Sequence, residues 1–299
     1  MNVYLFGATT ATGKAYTNIF KKNHDIKNLK SFSRYSEESS KLNLDKPNLF
    51  QINDNEDFIF VSFAPIWKIS KLVDYVINEK PEKIRFFKGI IACSSSSVHT
   101  KKYSFSKFDK KLVENLKNSE EFMLKVCKEL KIPICIVQPT LIYGNVGIYK
   151  DKNINFLKSV LKNLPLLVIP SQSGLRQPIH SYQLAFLFFQ KTEELIRYKE
   201  YTSTIISVGG DLTLSFKEIL LLINKENIKL KQRRKCLIFE IPYRIYFILI
   251  SPLLLFKPKW FAAFLRLNVN LSGFNRVGEL TKNPKNKFPL FEQDFDFLI

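Results

Sequence analysis

Apolar and polar positions fall into short runs whose period switches regularly through the first half of the chain. β-rich runs stand at Val3–Phe6, Leu29–Ser33, Leu49–Ile52, Phe58–Ser62, Gly89–Cys93 and Ile134–Val137. Between them, apolar residues recur at helical spacing over Gly13–Lys21, Ile66–Asn78 and Lys107–Lys131, which predicts amphipathic helices. Strand and helix taking turns is the βαβ rhythm of a parallel sheet covered on both faces. After Gly144 the pattern changes: a helix over Asn153–Leu161, a strand over Leu166–Ile169, a loop over Gly174–His180, a helix from Tyr182 and a strand over Thr204–Val208. The expectation is an α/β protein. Residues 1–170 form the sheet domain, to which the strand near 204–208 returns, and residues 171–299 form a smaller C-terminal subdomain.

One stretch departs from this rhythm. Cys236–Phe256 is apolar over nearly the length of a membrane span, but Glu240, Pro242, Arg244 and Pro252 interrupt it. A span needs about twenty residues with few charges. The segment therefore reads as a broken helix pair, either inside the subdomain core or lying on a membrane surface. The adjacent Lys229, Lys231, Arg233, Arg234 and Lys235 suit peripheral contact with an anionic membrane, or simply a solvated basic loop.

Composition narrows the classes. A chain of 299 residues with 45% hydrophobic and 14% aromatic content has ample material for a core and is not a disordered protein. Lysine and arginine number 46 against 27 acidic residues, a formal charge of +19, which favours an anionic small-molecule substrate, an anionic membrane or a nucleic acid. The lysines are scattered among abundant Ile, Asn and Phe, a composition that coding bias also produces. No zinc-finger spacing, ribonucleoprotein aromatic motif or helix-turn-helix stands out, so no nucleic-acid partner is expected. Cys93, Cys127, Cys135 and Cys236 share no Cys-x-x-Cys spacing and read as core thiols of a reducing compartment. The chain enters a strand at once, with no secretory signal visible, and the expected location is the cytoplasm.

The chemistry starts at the first turn. Val3-Tyr4-Leu5 leads into Phe6-Gly7-Ala8-Thr9-Thr10-Ala11-Thr12-Gly13 and then into a helix. A glycine directly after a strand permits a tight turn, and one six residues on lets the helix sit against that strand, so that its first N–H groups point at a pyrophosphate. This predicts a Rossmann-type, doubly wound parallel sheet with a dinucleotide on its first turn. Thr10 stands where such a loop carries its middle glycine. Strand two ends in Ser33-Arg34, where an acidic residue would take the ribose 2′-hydroxyl of NAD. An arginine there can meet a 2′-phosphate, which favours NADP, with NAD as the alternative.

Four segments in order make residues 1–220 resemble the NAD-dependent epimerase/dehydratase branch of the extended short-chain dehydrogenase/reductases. Gly7–Gly13 is similar to its Gly-Ala-Thr-Gly-x-x-Gly, and Cys93-Ser94-Ser95-Ser96-Ser97-Val98 to its strand-five serine motif. Gln138-Pro139-Thr140-Leu141-Ile142-Tyr143-Gly144 is similar to its Arg-Pro-x-x-x-Tyr-Gly, and Gly174–His180 to its Arg-x-x-Ile-His loop. The resemblance implies hydride exchange between a nicotinamide and a carbon of a nucleotide-linked sugar or similar anion, with the C-terminal subdomain holding substrate. It implies Gly7, Thr10, Gly13, Ser33, Arg34, Ala64 and Pro139 against the cofactor, and Ser95 on the substrate oxygen. Arg176 and Asn153 fall on the phosphates, where a guanidinium can donate bidentate hydrogen bonds.

The departure lies in the acid/base. This superfamily carries Tyr-x-x-x-Lys on the helix before strand six, where the lysine and cofactor lower the tyrosine's proton affinity. Counting back from Pro139 puts the pair at Val113 and Lys117, with Glu121 four residues on: the lysine without the tyrosine. A literal match, Tyr103-Ser104-Phe105-Ser106-Lys107, lies ten residues early. Three readings stay open: Tyr103 and Lys107 as the dyad, Lys117 with a substrate hydroxyl handling the proton, or a module that binds NADP without turnover. His180 reads as a structural hydrogen-bonder.

Overall fold

The computed structural model describes residues 1–23, 28–34, 39–52, 55–197, 203–229 and 236–298. The basic run 231–235 lies outside them. The first half runs β1 (Asn2–Phe6), α1 (Ala11–Lys22), β2 (Asn28–Ser33), β3 (Ser40–Lys41), β4 (Phe58–Ser62), α2 (Ile66–Glu79), β5 (Phe87–Cys93), α3 (Ser97–Thr100), α4 (Lys107–Glu129) and β6 (Ile134–Pro139). The second runs β7 (Ile142–Tyr143), α5 (Asn153–Asn163), β8 (Leu166–Pro170), β9 (Leu175–Arg176), β10 (Ile179–His180), α6 (Ser181–Arg197), β11 (Thr204–Gly209), β12 (Leu214–Ser215) and α7 (Phe216–Lys229). It continues through β13 (Leu237–Ile241), α8 (Tyr243–Ile250), α9 (Leu253–Phe256), α10 (Pro258–Leu265), β14 (Asn275–Arg276) and α11 (Val277–Thr281).

Eight strands form one sheet in the order β14-β11-β6-β5-β4-β1-β2-β3, all paired in parallel. The two-residue period of the strands supplies both faces with core. Val3, Leu5, Val61 and Ile91 pack with Ala15, Tyr16 and Phe188 of α1 and α6 on one side. Tyr4, Phe6, Phe60 and Ile90 pack with Ile69, Leu72 and Met123 of α2 and α4 on the other. This is the doubly wound α/β sheet that the rhythm predicts. The chain winds outward from β1 through β2 to β3, then jumps back to β4 and winds the other way, so the reversal of strand order falls between β1 and β4.

Two expectations are corrected. The run Leu49–Ile52 is not a strand: Pro47 opens a single 3-10 turn over Pro47–Leu49, and the sheet edge is taken by β3, which pairs with β2. Phe50 and Ile52 are buried all the same; Phe50 packs edge-on against Tyr4 and Phe6, which explains their apolar character without a ladder. Nor is Cys236–Phe256 a buried helix pair. Its first part is β13, paired in parallel with β8, and its prolines stand at the N-caps of α8 and α9, positions where a missing N–H costs nothing. Of this segment only Cys236, Tyr246 and Ile250 are buried. Among the described residues, no helix is long and apolar enough to cross a membrane.

Candidate cofactor cleft and the strand-end polar chain

At the reversal point, β1 ends in Gly7 with φ at +80°, a left-handed conformation natural to glycine. A Cβ there would lie 2.8 Å from the backbone nitrogen of Ala64, so the first turn and the loop after β4 approach as closely as chain allows. Thr10 is the N-cap of α1. Its hydroxyl accepts from the Gly13 N–H at 2.9 Å and donates to the Gly7 carbonyl at 2.9 Å. The threonine in the middle-glycine position thus braces the turn. A Cβ on Gly13 would overlap the Gly7 carbonyl oxygen; the absence of a side chain is what lets α1 start against β1. Among the described residues, the first-turn N–H groups of Ala11 and Thr12 have no protein acceptor. Open amides at the positive end of a 12-residue helix are a site for phosphate oxygens.

Around this turn lies a cleft of about 170 Å³ whose lining includes Gly7, Thr10, Ser33, Arg34, Ala64 and Lys68. Five of the seven expected cofactor residues, from three separate segments, thus meet in one cavity, with Gly13 directly behind it. Pro139 stands apart at the end of β6, where its carbonyl accepts from the Ser96 N–H at 3.0 Å. Arg34 is exposed at the rim. Lys68, which the sequence reading missed, donates to Asp45 at 2.6 Å; that hydrogen bond first, with the charge of Arg34 among the further causes, holds the Asp45 carboxyl below its usual range.

A second polar group gathers at the ends of β5 and β6. Gln138 is buried and donates through Nε2 to both oxygens of buried Glu120, at 2.9 Å each; Ser94 also donates to Glu120. With its nitrogen so committed, Gln138 Oε1 accepts from Ser207 at 2.7 Å and from His99 Nε2 at 2.9 Å. His99 Nε2 is therefore the donor, leaving Nδ1 an acceptor in the neutral ring. Gln138 was legible as the one amide in an otherwise apolar strand. Glu120 was not: the count points to Glu121, which is exposed, one residue past the buried acid.

The remaining expected residues scatter. The Ser95 hydroxyl turns back on its own loop, accepting from the Ser97 N–H at 3.2 Å and donating to Ser97 Oγ at 3.1 Å. Tyr103 is 83% exposed in a turn ahead of α4, while Lys107 is the first residue of that helix. A four-residue spacing places two side chains on one face only inside a helix, so this pair does not share one. Asp109 fixes the turn instead, pairing with Lys101 at 3.0 Å, with Arg266, and with the Ser104 hydroxyl at 2.9 Å. Burial raises the Asp109 carboxyl, and the Lys101 and Ser104 hydrogen bonds more than reverse this, leaving it below its usual range. On α4, Lys117 is half-buried and Val113 buried. Asn153 donates to the Ile142 carbonyl at 3.0 Å. Arg176 is buried, its guanidinium spread over the carbonyls of Leu175, Val269 and Arg266 at 2.8, 2.5 and 2.5 Å.

His180 is buried, stacked on Phe295 with centroids 4.9 Å apart, and its Nδ1 accepts the Tyr182 N–H at 3.2 Å. Burial pushes its imidazole down to about 3. An unfolded histidine takes a proton near 6.5, whereas this one stays neutral, so the unfolded state binds more protons and stability falls as the pH drops through about 6.5. Urea unfolding at pH 7 and pH 5 checks this: wild type should lose about 2 kcal/mol more than His180→Gln across that window. Equal losses would remove His180 as the cause.

No protein-family model matches this sequence, and no curated protein matches it. Solved structures do. MoeE5 in complex with UDP-glucose and NAD is 11% identical, over 96% of this chain and 94% of that one, with a TM-score of 0.61. UDP-glucuronic acid 4-epimerase from Bacillus cereus in complex with NAD is 15% identical, over 81% and 88%, at 0.56. The dTDP-glucose 4,6-dehydratase of Bacillus anthracis in complex with NAD is 14% identical, over 81% and 84%, at 0.53. At such identities the likeness is one of fold: the chain has the Rossmann-type fold of the extended epimerases and dehydratases.

Proposed function

We propose that this chain binds a nicotinamide dinucleotide in the β1/β4 cleft and acts on a nucleotide-linked sugar, as an atypical epimerase, dehydratase or reductase. The observation that carries this reading is the cradle: Gly7, Thr10, Ser33, Arg34 and Ala64 lining one cavity beside unpartnered helix-start amides. The residues present fit the group, since glycine at 7 and 13 lets the first turn close against the loop after β4 and lets α1 start against β1, with the Ala11 and Thr12 amides left open at the helix start. When bound, the cofactor supplies hydride exchange with a substrate carbon. The substrate class rests on the fold's neighbours, whose structures hold UDP-glucose or UDP-glucuronic acid.

Within that reading, Arg34 faces the adenosine ribose, Lys117 the nicotinamide ribose, and Ser95 the substrate oxygen. With valine at 113, proton exchange falls to His99 on α3, at the open end of the Gln138–Glu120 chain and four residues after Ser95. Tyr103, in solvent, is outside the site. The test is turnover on a panel of UDP-sugars with NADP or NAD. Tyr103→Phe should stay within a few-fold of wild type, while His99→Gln should fall about tenfold or more. A loss of about 10²–10⁴ for Tyr103→Phe would restore the tyrosine as acid/base. Cofactor binding with no turnover on any sugar would favour the module.

NADPH should bind more tightly than NADH because Arg34, exposed at the rim of the cleft at the end of β2, can donate to a 2′-phosphate. Losing one charged contact to phosphate costs about 1–3 kcal/mol, so Arg34→Asp should erase or invert the preference in a fluorescence titration. Equal wild-type affinities would remove Arg34 from the site.

A further inference from the structure

Helix α8 is apolar around its circumference except at Arg244, yet only Tyr246 and Ile250 on it are buried. Ile245, Phe247, Ile248 and Leu249 are 43–70% exposed. At the bend that follows, Pro252 and Pro258 bracket Leu254, Leu255 and Phe256, the last two 81% exposed. Trp260 of α10 extends the patch. Ring contacts make it continuous: Phe247 meets Phe261 at 6.0 Å, and Trp260 meets Phe156 of α5 at 5.7 Å. A helix apolar all round belongs in a core or in lipid, and single exposed apolar residues are ordinary where a contiguous patch is not.

Charge decides what covers it. Between residues 237 and 265 the sequence has one carboxylate, Glu240, and three cations, Arg244, Lys257 and Lys259. Glu240 is bridged by Lys217. Among the described residues the three cations have no ion pair, and Lys259 lies over the Phe108 ring at 3.9 Å. A second copy of the chain, itself at +19, would bring like charges together around the patch, which opposes association. A bilayer with anionic headgroups accepts both features, apolar side chains at the acyl boundary and lysines at the headgroups just behind them.

We propose that the α8–α10 arm docks this protein on an anionic lipid surface. Leu254, Leu255, Phe256 and Trp260 enter the interface, and Arg244, Lys257 and Lys259 meet headgroups. The arm lies on the membrane and does not span it. It is also firmly mounted: Arg266, immediately after α10, pairs with Asp109 of α4, and Arg176 holds the carbonyls of Arg266 and Val269. The sheet domain is thereby held against the bilayer by a packed joint.

Flotation of the full chain tests this, with vesicles of phosphatidylcholine alone and with about a third phosphatidylglycerol. Wild type should float with the anionic vesicles, weakly with the neutral ones, and less as salt rises. Leu255→Glu with Phe256→Glu should lower partitioning about 100-fold or more. Lys257→Gln with Lys259→Gln should lower it about fivefold per cation. Both pairs are exposed, so unfolding midpoints should stay at the wild-type value, which separates lost docking from lost folding. Equal flotation with both vesicle types, flotation unchanged in the two double variants, or a dimer dispersed by Phe256→Glu with no vesicle binding would each overturn the proposal.

Discussion

Gly13→Val should abolish dinucleotide binding and cost stability at the same time. A Cβ at this position overlaps the Gly7 carbonyl oxygen and lies 3.0 Å from the Ala8 Cα. Both are backbone atoms, so no rotamer change can relieve the contact. The relief available is a shift of α1 away from β1, which moves the Ala11 and Thr12 amides off the phosphate position and breaks the Thr10 cap at Gly13 N. Overpacking of this kind costs about 1–3 kcal/mol, and the affinity for NADPH should fall about 100-fold or more, the sum of several lost amide contacts of about 1 kcal/mol each. Calorimetric titration alongside urea unfolding reads both. Normal NADPH affinity in a destabilised Gly13→Val protein would make the turn structural only.

Arg176→Leu should unfold the protein more readily by about 3–5 kcal/mol, because it strands buried carbonyls that a charged donor now satisfies. Those carbonyls belong to Leu175, Val269 and Arg266, so one side chain stitches β9 to a segment some ninety residues on, beside the Arg266–Asp109 pair. Burial first, and then the like charge of Arg266, lowers the guanidinium to about 10, still a cation at neutral pH. Urea unfolding checks the cost. Unchanged stability with a raised KM for nucleotide-sugars would instead place Arg176 on substrate phosphate, as the loop resemblance implies.

These two residues mark what was legible. Gly7 and Gly13 declare themselves because strand period, glycine spacing and helix start are local, and a local pattern is fully present in the sequence. The same holds for β1, β4, β5 and β6, whose apolar runs are dictated by burial on both faces. Arg176 was legible only as a motif member. Its partners are carbonyls, which have no residue identity, and they lie far along the chain. Glu120 was missed by one residue because counting helix length carries no information about which carboxylate turns inward; Gln138, its partner, does. The Cys236–Phe256 segment stays open between subdomain core and membrane surface for a related reason: an apolar pattern tells what can be buried, not whether the protein supplies the cover. Tyr103 and Lys107 matched a spacing that has meaning only on a helix, and Tyr103 precedes the helix.

The proposed function requires a nicotinamide dinucleotide in the β1/β4 cleft. Isothermal titration of the wild-type chain with NADPH and with NADH tests that directly. One saturable site per chain, tighter for NADPH, is the predicted result; no binding of either nucleotide at millimolar concentration would contradict it.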